Sequence, residues 1–170
     1  MAETQLPEPW LRGSLTDAQA MQRAVLHALD LAREDLEKWC GNLSDAELNA
    51  RPANLAPVAF HIRHIARSID RLLTYAEGKE LSAAQMGALR SELDPGAVRD
   101  ELFAELAGAL EEGTSRVRAS HARQIEESRA VGKSRLPTTV GGLLVHIAEH
   151  TQRHVGQAIT TAKVVVSSRK

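Results

Sequence analysis

Residues 141–157, GGLLVHIAEHTQRHVGQ, set His146, His150 and His154 at four-residue steps on a stretch without proline. At 3.6 residues per turn, positions i and i+4 lie one above the other, so neighbouring histidines of this run can aim two ring nitrogens at one point. A helix presents ligands to a metal in this way, and a third ligand has to come from another element. The other histidine cluster, His61 and His64 in AFHIRHIARSIDRLL (residues 59–73), can supply it. The run therefore predicts a helix bundle built around a mononuclear metal held by three histidines.

The rest of the chain agrees with a bundle. Aromatic residues are only 3% of the 170, and β-branched residues rarely alternate with polar ones, so the period-2 signal of a sheet is missing. The fold class is all-α, a four-helix bundle with a long crossover between the second and third long helices. Residues 1–15 read as an irregular arm broken by Pro7, Pro9 and Gly13, with Trp10 expected to pin it; residues 16–170 read as a single domain.

Thr16 and Asp17 offer caps for a first helix whose seam is Met21, Val25, Ala28, Ala32, Leu36 and Trp39, ending at Gly41. His27 on it reads as an ordinary surface or core histidine, and Cys40 as a small apolar filler. After a short helix from Ser44 to Asn49, Pro57 opens the second long helix. Its seam is Val58, Ile62, Ile65, Ile69, Leu72 and Ala76, with Arg63, Arg67 and Arg71 on the wet face and Gly78 as the stop. Residues 79–96 suggest another short helix. A third long helix is expected from Ala97 to Glu127, with Val98, Leu102, Leu106, Leu110 and Val117 inward and His121 solvated. The segment VGKSRLP reads as a loop, and Thr138 or Thr139 caps a fourth helix running to Val164.

Charge is balanced, 21 basic against 22 acidic residues, and the two signs are interleaved, so nothing calls for nucleic acid or an anionic membrane. A single cysteine excludes an internal disulfide and any multi-thiolate metal site. The start, MAETQLPEPWLRG, lacks the apolar core of a secretory signal, and no apolar run reaches membrane-spanning length, so a cytoplasmic location is expected.

On a helical wheel the apolar face of the last helix is set by Leu144, Ile147, Val155, Ala158 and Ala162. His154 lies roughly 65° from its centre, His150 about 105° and His146 about 145°. The pair His150 and His154 is therefore nearest the core, and His146 turns toward solvent. In the second long helix the same wheel puts His61 roughly 65° from the apolar centre and His64 about 125°. Periodicity alone chooses His61 as the third ligand.

The segment HIAEHTQRHVGQ, together with FHIRHIARSIDRLL, resembles the DinB-like (YfiT-like) superfamily of small bacterial metal-binding four-helix bundles. By that resemblance the metal ligands are His64, followed by Ile65-Ala66 and Asp70-Arg71, and the pair His150 and His154, followed by Val155-Gly156-Gln157. The resemblance thus chooses His64 over His61. The family often carries a Trp at the start of the second helix, where Ala56-Pro57 stand here.

Three neutral imidazoles leave positions open on a divalent ion, the pattern of a catalytic rather than a closed structural site. Glu149 precedes His150, so the HExxH of zinc peptidases is absent, and no Glu-x-x-His of a di-iron bundle occurs. With no dedicated base beside the pair, a reaction needing only a metal-lowered pKa is favoured. The resemblance implies the same, since related families include thiol-dependent S-transferases and a mycothiol-dependent isomerase.

The expectation is a metal-dependent thiol transferase or detoxification enzyme acting on a small molecule. It would use one divalent ion (zinc or nickel, with iron as the alternative) and a low-molecular-weight thiol as cosubstrate. His61 is the candidate catalytic proton shuttle and Gln157 a residue that orients the bound ligand. A homodimer is implied by the family. Two alternatives stay open, a non-enzymatic metal-binding stress protein and a metal-dependent small-molecule hydrolase.

Overall fold

The computed structural model of the protein describes residues 6–120 and 124–169. Its helices are α1 (Ala20–Cys40), the short α2 (Asp45–Leu48), α3 (Val58–Ala76), the short α4 (Ala83–Arg90), α5 (Arg99–Ala119) and α6 (Val140–Ser167). Strands β1 (Ser128–Val131) and β2 (Leu136–Thr139) stand between α5 and α6. The architecture is the expected all-α bundle with a long crossover between its second and third long helices, to which one small hairpin is added.

Local chemistry sets the helix starts. Ser44 and Ser82 each accept a backbone N–H three residues on, from Glu47 and Gln85, whose side chains reach back to the serine N–H. Thr139 caps α6 by accepting the N–H of Gly142. At α1 the cap differs from the one expected: Gln22 accepts the backbone N–H of Gln19, while Asp17 pairs with Arg118 of α5.

The seams close on one core. Val58, Ile62, Ile65 and Ile69 of α3 meet Leu144, Ile147, Val155 and Ala158 of α6, with Leu106 and Leu110 of α5 and Leu29 and Leu36 of α1, all buried. Three seam positions depart from expectation. Trp39 and Val98 are exposed, Trp39 lying under the ammonium of Lys163, and Leu73 replaces Leu72 inside. In each case the adjacent residue, Cys40, Ala97 or Leu73, takes the inward position. Cys40 is buried, and burial pushes its thiol up to about 12, as an inert filler. His27 is buried beside Ser14 Oγ. The arm is held by Arg12 pairing with Glu34 on α1 and by buried Pro9, while Trp10 is exposed.

The crossover is tied down by residues expected to face water. Arg63 donates to the Asp94 carbonyl, and Arg67 donates to Glu105, the Ala88 carbonyl and Ser91. Arg71 is buried against Glu92. Their long stems let guanidinium groups on the flank of α3 reach over to a neighbouring segment, which a wheel does not see. Gln85 and Arg116 both bond Asp70, fixing α4 and α5 to α3.

The third long helix stops at Ala119, short of the expected Glu127; His121 lies outside the described residues. Instead of a loop, VGKSRLP belongs to an antiparallel hairpin with Ser128 opposite Thr139 and Val131 opposite Leu136. Gly132 and Arg135 adopt positive φ at its turn. Arg129 donates to the Ala76 carbonyl at 2.7 Å, docking the hairpin on the C-terminus of α3. No helix among the described residues is long and apolar enough to cross a membrane.

Two glycines of α5 test this packing. A Cβ on Gly113 would stand 2.8 Å from Ile69 Cγ2, whereas one on Gly108 would meet nothing within 4 Å. Both changes to alanine gain the same helix propensity, about 1 kcal/mol. Overpacking at the α3–α5 contact then sets Gly113→Ala below Gly108→Ala by about 1–3 kcal/mol in urea unfolding. Equal stabilities would mean that α5 does not approach α3 this closely.

Candidate metal centre

α3 and α6 lie side by side, and their facing flanks bring four histidines together. His64, His150 and His154 each offer a ring nitrogen, and the three atoms lie within 4.8 Å of one another. The His64 ring centroid is 4.9 Å from that of His150 and 4.4 Å from that of His154, with His150 and His154 4.6 Å apart. The Nε2 atoms of His64 and His150 face each other at 3.2 Å. Three imidazoles converging on one point, with no acid among them, could hold a divalent metal ion.

His61 is the more deeply buried histidine of α3, as periodicity required, but it stands outside this group. Its Nδ1 shares a hydrogen bond with Nδ1 of His154 at 3.0 Å. Depth and convergence are different properties. A residue near the apolar centre points at the core, whereas a ligand has to point along the boundary between two helices.

The orientation of His64 comes from a residue with no signal in the sequence. Glu92, in the crossover after α4, is buried, accepts Nδ1–H of His64 at 2.7 Å and accepts Arg71 at 2.6 Å. A carboxylate only accepts, so the proton sits on Nδ1 and Nε2 is the atom turned to the cluster. Burial by itself would raise the Glu92 carboxyl, but the bonds from His64 and Arg71 outweigh it and hold the group below the usual carboxylate range.

Phe60 was also missed. Its ring stacks on His64 at 5.4 Å and meets His61 and His154 edge-on. Only its place beside His61 in the chain could have suggested it.

Burial, with neighbouring histidines second, pushes His61, His150 and His154 down from an ordinary value of 6.5 to about 4 each. Near neutral pH these rings are uncharged, the form a metal needs from imidazole.

A cleft of about 1050 Å³ opens beside the cluster. His64, Ser68, Leu72 and Tyr75 of α3, Met86 and Leu89 of α4, the hairpin, and His146 and His150 of α6 form its walls. His146 is half-exposed and bonds Glu149, which also takes Arg153; Glu149 is thus occupied on the outer side of α6, away from a base's position. Gln157 stands exposed three residues beyond His154.

The sequence pattern of the DinB superfamily matches residues 28–158, a span containing all four long helices in whole or in part. The chain belongs to the DinB superfamily. Among solved structures, a conserved protein from Enterococcus faecalis superposes with a TM-score of 0.73 at 20% identity, covering 89% of this chain and 100% of that one, so this DinB-superfamily chain shares its fold. Curated proteins return no match.

Two measurements test this centre. Glu92→Ala strands Arg71 without its partner in the interior and should cost about 3 kcal/mol in urea unfolding, whereas a loss under 1 kcal/mol would mean the carboxylate is solvated. The second is pH dependence in chelator. The three lowered histidines bind protons in the unfolded chain from about pH 6.5 but in the folded one only near 4. Their stabilising contribution is therefore complete above 6.5 and lost as pH falls toward 4. The melting temperature should drop across this window, less steeply in His61→Gln; a flat profile between pH 6.5 and 5 would contradict it.

Proposed function

We propose that His64, His150 and His154 bind one divalent metal ion, zinc or nickel with iron as the alternative, and that the protein is a metal-dependent thiol S-transferase or detoxification enzyme for a small molecule. The observation carrying this reading is the convergence of three imidazoles, two of which, His64 and His150, stand on the wall of an open cleft. The donor set fits the ion: three nitrogens, two of them on rings kept uncharged, the third turned to the cluster by Glu92. A divalent ion held there would supply a Lewis acid with open positions, able to deprotonate a thiol cosubstrate near neutral pH.

The chain's own side chains do the positioning. Glu92 and Arg71 hold His64 in one tautomer, and Phe60 covers three of the histidine rings on their apolar side. For His61 the role we favour is through His154, whose ring it fixes, because a proton shuttle would have to reach the cleft and His61 is not on its walls. Gln157 is exposed beyond His154 and, like His61, is not on the cleft walls, so a contact from it to a bound ligand would lie outside the cleft. Among the described residues no free carboxylate stands beside the cluster to serve as a general base, since Glu92 and Glu149 are both engaged. This favours a reaction that needs only a metal-lowered pKa, such as thiol transfer, over peptide hydrolysis.

Metal analysis of the purified protein should find about one ion per chain, lost in His64→Ala, His150→Ala and His154→Ala and kept in His146→Ala. Turnover of a thiol with a small electrophile should then fall at least about 100-fold in His154→Ala, the scale on which a metal activates its ligand. A wild-type protein that takes up no divalent ion on reconstitution would refute the reading, and product formation without thiol would transfer it to a hydrolase.

A further inference from the structure

The cleft beside the histidine cluster has a strongly one-signed lining in a chain whose total charge is near zero. Its walls carry Arg71, Lys79, Arg129, Lys133 and Arg135 against one carboxylate, Glu80. Three of these cations are already engaged. Arg71 is bound to Glu92, Arg129 is spent on the Ala76 carbonyl and Glu127, and Lys79 pairs with Glu77. Lys133 and Arg135 are different: both stand exposed on the hairpin turn, and neither side chain has a hydrogen-bonding or ionic partner among the described residues.

Geometry holds this pair in place. The hairpin is docked on α3 through Arg129, and its turn takes the tight form in which Gly132 and Arg135 adopt positive φ. Two unpaired cations are thereby presented on a docked hairpin at one wall of the cleft, whose other walls include the apolar side chains of Leu72, Tyr75, Met86 and Leu89. Such a wall focuses the field of nearby charges into the cavity. The volume, about 1050 Å³, is that of a site for an organic molecule of appreciable size.

From this we infer that the cleft takes an anionic small molecule with an apolar body, a carboxylate, sulfonate or phosphate group lying on Lys133 and Arg135 while the remainder packs on α3 and α4 and extends toward His64 and His150. This names the ligand class of the site proposed above and rests on that reading only for the reaction, not for the binding. The hairpin is then the specificity element and the histidine cluster the reactive one.

The test is an amide-resolved NMR titration of the full chain with three probes of equal length, hexanesulfonate, hexan-1-ol and hexylammonium. A sulfonate is a poor metal ligand, so its binding reports the cationic wall rather than an ion in the cluster. Hexanesulfonate should shift amides of residues 72–89 and 128–135 and bind about fivefold more tightly than the alcohol, the effect of two exposed ion pairs. Hexylammonium should bind more weakly than the alcohol, and added salt should erode the sulfonate's advantage.

In the double variant Lys133→Gln/Arg135→Gln the preference should vanish while the melting temperature and metal content stay unchanged. The charge-reversed Lys133→Glu/Arg135→Glu should favour hexylammonium instead. Equal affinity for sulfonate and alcohol, or a preference surviving in both variants, would overturn the inference even if the protein binds metal. A sulfonate preference that persists in a protein unable to take up any ion would leave the inference standing and remove the metal reading.

Discussion

One buried carboxylate organises the functional half of the molecule. Glu92 belongs to a stretch of crossover that has no regular structure of its own, yet it is buried and takes a cation or a ring N–H on each oxygen. An ionised carboxylate withdrawn from water is tolerated only when both oxygens are satisfied, so Arg71 and His64 have to be where they are for the crossover to lie down. The same requirement acts in reverse. Because Glu92 occupies Nδ1 of His64, the ring has one tautomer and its other nitrogen faces α6.

The histidines on α6 meet a different constraint. Their helix uses Leu144, Ile147, Val155 and Ala158 to pack the core, and His150 and His154 occupy the edge of that face, half-buried between two helices. Withdrawal from water keeps them uncharged, and mutual proximity adds to it, since two imidazolium ions could not share this space. Neutral imidazoles carry lone pairs that a divalent cation can take up together. Two members of the group, His64 and His150, line the cleft rather than the core.

The cleft exists because two segments outside the four long helices fold back on α3. The crossover is clamped by Arg63, Arg67 and Gln85, and the hairpin by Arg129. Each clamp is a long polar side chain on one element bonding the backbone or a side chain of another. The bundle thus supplies rigid positions for the histidines, while its irregular connections supply walls, charge and access.

Much of this was legible in the chain itself. Spacing alone placed four long helices, most of the buried seams of α3 and α6, and the two histidine clusters, because helical periodicity is local and every apolar step reports the same face. The roles of Arg71 and Glu92 were not legible: an arginine on a polar flank and a glutamate in a connecting segment carry no periodic mark, and their meeting depends on a reach across the fold. The hairpin escaped for a related reason. Strand pairing of Ser128 with Thr139 is a relation between two segments, and neither half has the alternation of a half-buried strand.

The choice between His61 and His64 shows the division most clearly. Periodicity ranks the two by depth, and the structure does bury His61 more. Periodicity by itself determined only that histidines of the two helices would lie near the core, and the motif resemblance pointed to His64; the convergence of its ring nitrogen with His150 and His154 is decided by the relative placement of α3 and α6 and by Glu92, contacts that no local spacing encodes.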